Sequence, residues 1–110
     1  MNNLKTGQLI YIKHQVALIP HIEGYKAVIV KINKKDKIDY SIKVNIQERF
    51  STLEGISIKN NESLDCFKLN SPNYEFFDDM AEFKKSMILS FNNAKLILDK
   101  AIEEITNNFN

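Results

Sequence analysis

The side chains best suited to chemistry are few and scattered. His14 and His21, seven residues apart, are the only histidines. With Glu23 or Asp36 nearby they could ligate a metal, but this spacing matches no established zinc pattern. Cys66 is the single cysteine. It could act as a nucleophile with a histidine as base, yet within Leu64-Asp65-Cys66-Phe67 the ordinary occupant is a small buried apolar residue. One cysteine also excludes a disulfide framework or a four-cysteine zinc site, and fits a reducing compartment. The acid pairs Asp78-Asp79 and Glu103-Glu104 are adjacent in sequence, and adjacent residues on a helix do not face each other. Gly7, Gly24 and Gly55 stand alone, so no glycine-rich phosphate loop exists. No catalytic residue, metal site or cofactor is assigned, and the chain is expected not to be an enzyme.

Aromatic residues beside cations are the positive feature. Tyr11-Ile12-Lys13-His14, Gly24-Tyr25-Lys26 and Arg49-Phe50 place rings next to charge, and Lys34-Lys35-Asp36-Lys37 concentrates lysine in a turn. Such rings stack on bases or take an apolar peptide residue. The candidate binding set is therefore Tyr11, Lys13, His14, Tyr25, Lys26, Lys34, Lys35, Lys37, Arg49 and Phe50. The plainer alternative puts the three rings in the core or against a helix, and the lysines on a solvated hairpin tip. Net charge is +1, but residues 1–59 carry +5 and residues 60–110 carry −4. That split suits either attraction between the two halves or a nucleic-acid face on the first. Arg49 is the only arginine, which weakens base readout, because bidentate recognition of guanine favours Arg. Ile, Lys and Asn, at 15, 14 and 13 residues, dominate the composition. All three have AT-rich codons, which points to a low-GC bacterium, its phages or its mobile elements.

The elements that must position these residues follow from periodicity. Residues 38–46 alternate, with Ile38, Tyr40, Ile42, Val44 and Ile46 on one face, and predict a half-buried strand. Residues 8–13, 25–33, 56–59 and 64–69 supply further strands, and 14–24, with Pro20, reads as a long loop. Alternation predicts a core of Val28, Val30, Ile42, Val44, Ile56 and Ile58. The second strand is apolar on both faces, so something must cover Ala27 and Ile29. The C-terminus is the expected cover. Ser71-Pro72 reads as a helix start, and from Met80 onward Met87, Phe91, Ala94, Leu98, Ala101 and Ile105 step by four and three. Docking is expected through Met87, Phe91, Leu98 and Ile102. A single helix over 75–107 outruns a small barrel, at ~1.5 Å per residue. Either it breaks at Asn92-Asn93, or its end, with Ile105 and Phe109, pairs with another chain as a homodimer.

The segments Thr6-Gly7-Gln8-Leu9-Ile10-Tyr11-Ile12, Gly24-Tyr25-Lys26-Ala27-Val28-Ile29-Val30-Lys31-Ile32 and Tyr40-Ser41-Ile42-Lys43-Val44 resemble the strands of SH3-like small barrels of the Tudor and KOW type. The resemblance covers residues 4–69. It implies an α+β chain: a five-stranded antiparallel SH3-like barrel over 1–70, then one long or two short C-terminal helices over 71–110, packed as one domain. Such barrels host many unrelated functions. MazF-type endoribonuclease toxins are also SH3-like barrels with C-terminal helices. Their second strand opens with an Arg-Pro pair, where this chain has Tyr25-Lys26-Ala27. Lys26 could stabilise a phosphorane, but no residue is assigned as its acid–base partner.

The expected function is a non-enzymatic protein-interaction module, of the sort a phage or mobile element uses to modulate a host protein. Its partner is then a host or viral protein. A nucleic-acid-binding barrel is the first alternative, and a MazF-like ribonuclease the second. The expected location is cytoplasmic, with no membrane contact: no apolar run approaches a membrane span, and residues 1–7 form no secretory leader.

Overall fold

The computed structural model describes residues 3–15, 21–52, 54–58 and 63–108. It is an α+β structure: six strands form one open antiparallel sheet, and a single helix follows. The strands are β1 (Leu9–Gln15), β2 (Ile22–Lys34), β3 (Tyr40–Ser51), β4 (Gly55–Ile58), β5 (Leu64–Lys68) and β6 (Tyr74–Phe77), and the helix α1 is Met80–Asn108. The sheet order is β4-β3-β2-β1-β6, with β5 paired to β3.

The expected closed five-stranded barrel is not formed. β4 takes the edge of β3 along Glu48–Ser51 and β5 takes it along Ser41–Asn45, so β5 never reaches β1. The free edge of β1 is taken instead by β6, through Tyr11↔Phe77 to His14↔Tyr74. Rings bridge the remaining opening: Phe67 of β5 meets Tyr74 of β6 edge-on at 5.1 Å, and Tyr25 lies 5.7 Å from Phe67. β6 lies in a span expected to be helical. Ser71-Pro72 starts no helix, since residues 71–73 make the turn into β6 and Asp79 caps α1, its Oδ1 accepting the Ala81 N–H at 2.9 Å.

Register sorts the side chains. Cross-strand partners share a face, so Ile10, Ile12, Tyr25, Ala27, Ile29, Ile42, Val44, Ile46 and Phe67 form the core on the inner face of the curled sheet. Ile42 and Val44 lie where alternation put them. Val28 and Val30 do not, and neither do Ile56 and Ile58. The register slips between Ile29 and Lys31, making Val30 a bulge residue, 39% exposed, so that Ile29 and Ile32 both turn inward. Ile56 and Ile58 are on the outer face, opposite Phe50 and Glu48, and are well exposed.

The helix lies on that outer face and does not cover Ala27 or Ile29. Tyr11 stacks on Phe83 at 5.3 Å, Phe83 meets Phe77 at 5.9 Å, and Phe91 meets Phe50 edge-on at 5.9 Å. Gly24, facing outward between Lys13 and Phe50, makes this approach feasible. A Cβ there would stand 2.8 Å from Phe83 Cζ and 3.1 Å from Met87 Cε. Met87 and Ala94 are the buried helix residues. α1 is unbroken at Asn92-Asn93 and, at ~1.5 Å per residue, about 43 Å long. Beyond Ala94 every described helix residue is exposed, so Leu98 and Ile102 do not dock on the sheet. Among the described residues, no helix is long and apolar enough to cross a membrane.

Candidate functional site

The expected binding set does not form one surface. It falls into three groups, and register decides the membership of each. Tyr11, Lys13, Lys26 and Phe50 face outward beneath α1, where Tyr11 and Lys13 are consumed by helix docking. Lys13 Nζ donates to Ser86 Oγ at 3.0 Å and to Ser86 O at 3.4 Å, with Glu75 Oε1 at 3.7 Å. A buried ammonium is thereby given three oxygen partners, which its desolvation requires. Lys34, Lys35 and Lys37 sit at the β2–β3 hairpin, eight or more residues along β2 from Lys26, or ~26 Å at 3.3 Å per residue. There Asp36 Oδ1 accepts the N–H groups of Asp39 and Ile38 at 2.7 and 2.8 Å, holding the Asp36 carboxyl below its usual range. Lys34 lies over the Tyr40 ring at 5.0 Å. This is a structured turn carrying charge.

The third group faces inward: His14, Tyr25 and Arg49, joined by Glu23, with His21 alongside. Arg49 is aimed there by a bulge at Gln47, where the register slips between Lys26 and Ala27. Strict alternation from Ile46 would have turned Glu48 inward instead. Arg49 Nη2 donates to Glu23 Oε1 at 2.9 Å, and the Tyr25 hydroxyl donates to Glu23 Oε2. His14 Nδ1 lies 3.7 Å from Glu23 Oε2, and His21 Nε2 lies 3.6 Å from Oε1. Burial alone raises the Glu23 carboxyl, but the hydrogen bonds from Tyr25 and Arg49, with the charges of Arg49 and His14, outweigh it and hold the group below its ordinary range. Burial, followed by the bond to that carboxylate, pushes the Tyr25 hydroxyl well up. Arg49 is raised by its bond to Glu23, while its buried Nε has no hydrogen-bond partner. Tyr74 lies against the His14 ring at 4.7 Å. Glu23 and His21 lie outside the expected binding set, although the sequence sets His14, His21 and Glu23 near one another as possible metal ligands. The missed signal is cross-strand register, which pairs His14 with Glu23 and Tyr25 with Arg49. Among the described residues no group of three or more His, Cys, Asp and Glu side chains could hold a metal ion, and Cys66 is exposed rather than buried.

An apolar concavity, bordered by Tyr11, Tyr25, Lys26, Arg49 and Phe50 of the expected set, lies between α1 and the outer face of β3 and β4. It is a groove of about 410 Å³. Phe50, Ile56, Phe83, Met87, Ile88 and Phe91 give it an apolar lining, with Lys26, Glu48 and Lys84 also at its walls. Ile56 is 73% and Ile88 60% exposed, so large apolar side chains on both walls meet water. Lys26 faces Glu48 across the β2–β3 ladder, while Lys84 has no ion pair among the described residues. The groove offers neither a nucleophile nor an acid–base pair, and what it can do is take up an apolar surface. No protein-family model, curated protein or solved structure matches the chain.

Proposed function

We propose that the chain is a non-enzymatic protein-interaction module whose working surface is the groove between α1 and β3–β4. The supporting observation is the exposure of Ile56 and Ile88 on opposite walls of an apolar concavity. Large apolar side chains left in water around a groove mark a docking site. The occupant is an amphipathic segment of a partner protein, with apolar residues toward Phe50 and Phe91 and an acidic residue at the Lys84 rim. A host protein bound by a phage or mobile-element factor fits this description. The test is affinity capture from a bacterial lysate, with and without nuclease, comparing the wild type with Ile56→Glu and Ile88→Glu. Both positions are exposed, so the variants keep their fold. A partner that survives nuclease and is lost at least tenfold in both variants supports the reading. A partner removed by nuclease, or retained by both variants, refutes it in favour of nucleic-acid binding or another surface.

The inner-face cluster favours a second reading, a ribonuclease of the MazF kind. The sequence offered Lys26 as the phosphorane-stabilising cation with no assigned acid–base partner, whereas the fold sets Arg49 beside Glu23, with His14 and His21 against the same carboxylate. The Tyr25 hydroxyl is held in its protonated form by its bond to Glu23, so the chemistry open to the cluster is one in which the substrate supplies the nucleophile. In RNA the 2′-hydroxyl attacks phosphorus as the P–O5′ bond breaks. His14 takes the 2′ proton, His21 donates one to the leaving oxygen, and Arg49 faces the phosphorane charge. Incubation with single-stranded RNA tests this reading. Cleavage abolished by His14→Gln and Arg49→Met supports it, and intact RNA at micromolar protein rejects it.

A further inference from the structure

We propose that the distal part of α1, residues 95–108, pairs antiparallel with the same segment of a second copy of this chain, so that the molecule is a two-fold dimer with both grooves left open. One seam runs the length of the helix: Met87, Phe91 and Ala94, then Leu98, Ala101 and Ile105, at the four-and-three spacing of helix pairs. Its first half is spent on the sheet, where Met87 and Ala94 are buried. Among the described residues its second half packs against nothing. Ile97, Leu98, Ile102 and Ile105 are 44% to 63% exposed along ~12 Å of helix, at ~1.5 Å per residue.

The intramolecular interface dictates the orientation. The same helix face that carries Leu98 and Ile105 is covered by the chain's own sheet from Phe83 to Ala94. A parallel mate would have to lie where that sheet lies. An antiparallel mate sets free segment against free segment and ends where the sheet begins, extending the docked seam without interruption. Charge agrees: Lys95, Asp99 and Lys100 give the start of the free segment a net positive charge, and Glu103 and Glu104 make its end negative. Antiparallel pairing runs each basic stretch beside the partner's acidic one and opposes the two helix dipoles; parallel pairing sets like beside like. Leu98 then lies level with the partner's Ile105, and Lys100 with the partner's Glu103. An interface of this kind is isologous and closes at two copies.

Sedimentation equilibrium of the full chain at micromolar concentration tests the pairing. The expected mass is twice 12.8 kDa, falling to the single-chain mass in Ile105→Lys and Leu98→Lys, with far-UV circular dichroism and melting of the sheet retained. A wild type at 12.8 kDa with no concentration dependence, or a dimer that survives both substitutions, overturns the proposal. Orientation has its own test. In a Cys66→Ser background, tagged Leu98→Cys chains mixed with untagged Ile105→Cys chains should cross-link chiefly to each other under oxidation. Cross-links confined to like variants would show a parallel pair and overturn it as well.

Discussion

Replacing Gly24 by Ala tests the docking of α1 more sharply than removing any large side chain. The added Cβ would stand 2.8 Å from Phe83 Cζ, inside the distance that carbon atoms tolerate. Retreat of that ring is obstructed, because it stacks on Tyr11 at 5.3 Å and meets Phe77 at 5.9 Å. The helix behind it is tied down by the Lys13–Ser86 bond at 3.0 Å. Overpacking of this sort costs ~1–3 kcal/mol. Against it stands a gain of ~0.5–1 kcal/mol, since alanine restricts the unfolded chain and suits a strand better than glycine. The expected net loss is ~1–2 kcal/mol, or a fall in Tm of ~4–16 °C at ~4–8 °C per kcal/mol for a domain near this size. Thermal melting followed by circular dichroism reads it. The control is a double-mutant cycle: with Phe83→Ala already in place the ring clash is gone, only the terminal methyl of Met87, at 3.1 Å, has to give, and Gly24→Ala should be neutral or mildly stabilising. A Gly24→Ala single variant that melts at or above wild type would refute helix docking over β2.

Further expectations concern the core, the bulge and the ionic cluster. Val44→Asp places an unpaired charge on the fully buried inner face and should cost ~4 kcal/mol or more, while Val30→Asp at the bulge should cost under ~1 kcal/mol, as urea denaturation would show. Equal losses at both positions would deny the bulge. Glu23→Gln weakens charge-assisted bonds from Arg49 and Tyr25 and should destabilise by ~1–3 kcal/mol. Because the folded Glu23 carboxyl titrates below its ordinary value, its contribution is present above ~pH 4.5 and is lost as pH falls through the folded pKa. The raised Tyr25 hydroxyl acts in the opposite sense: its contribution is full below ~pH 10 and declines at higher pH, where the unfolded tyrosine ionises first. Urea midpoints between pH 3 and pH 11 should therefore show both flanks in the wild type, and a shallower acid flank in Glu23→Gln.

The alternation was readable over 40–46, where Ile42, Val44 and Ile46 did turn inward, but Ile38, expected on the same face, lies in the turn before β3 and is 80% exposed. The helix from Met80 was readable from its spacing and the absence of Gly and Pro. β2 was not, because it is apolar on both faces and its phase is reset by a bulge at Val30, which no two-residue period reveals. A second bulge, at Gln47, turns Arg49 toward Glu23, so spacing brought His14, His21 and Glu23 together but not Arg49. β6 was missed because Ser71-Pro72 carries a plausible helix-start pattern, while Tyr74-Glu75-Phe76-Phe77 gains its strand only from the free edge of β1. The groove needed the outer-face register of Phe50 and Ile56 together with the position of the helix, and neither is local. Tyr11 and Lys13 illustrate the converse. Their types suggested ligand contact, but the structure spends both on α1.

Hydrogen exchange of the full chain, measured alone and with the nuclease-resistant captured partner, tests most directly whether a protein docks in the groove between α1 and β3–β4. The expected result is slowed exchange in β4, Gly55–Ile58, and in the first three turns of α1 from Met80 to Phe91, with the hairpin around Lys34 and Lys37 unchanged. Protection confined to that hairpin, or an unchanged groove in a saturated complex, would contradict it.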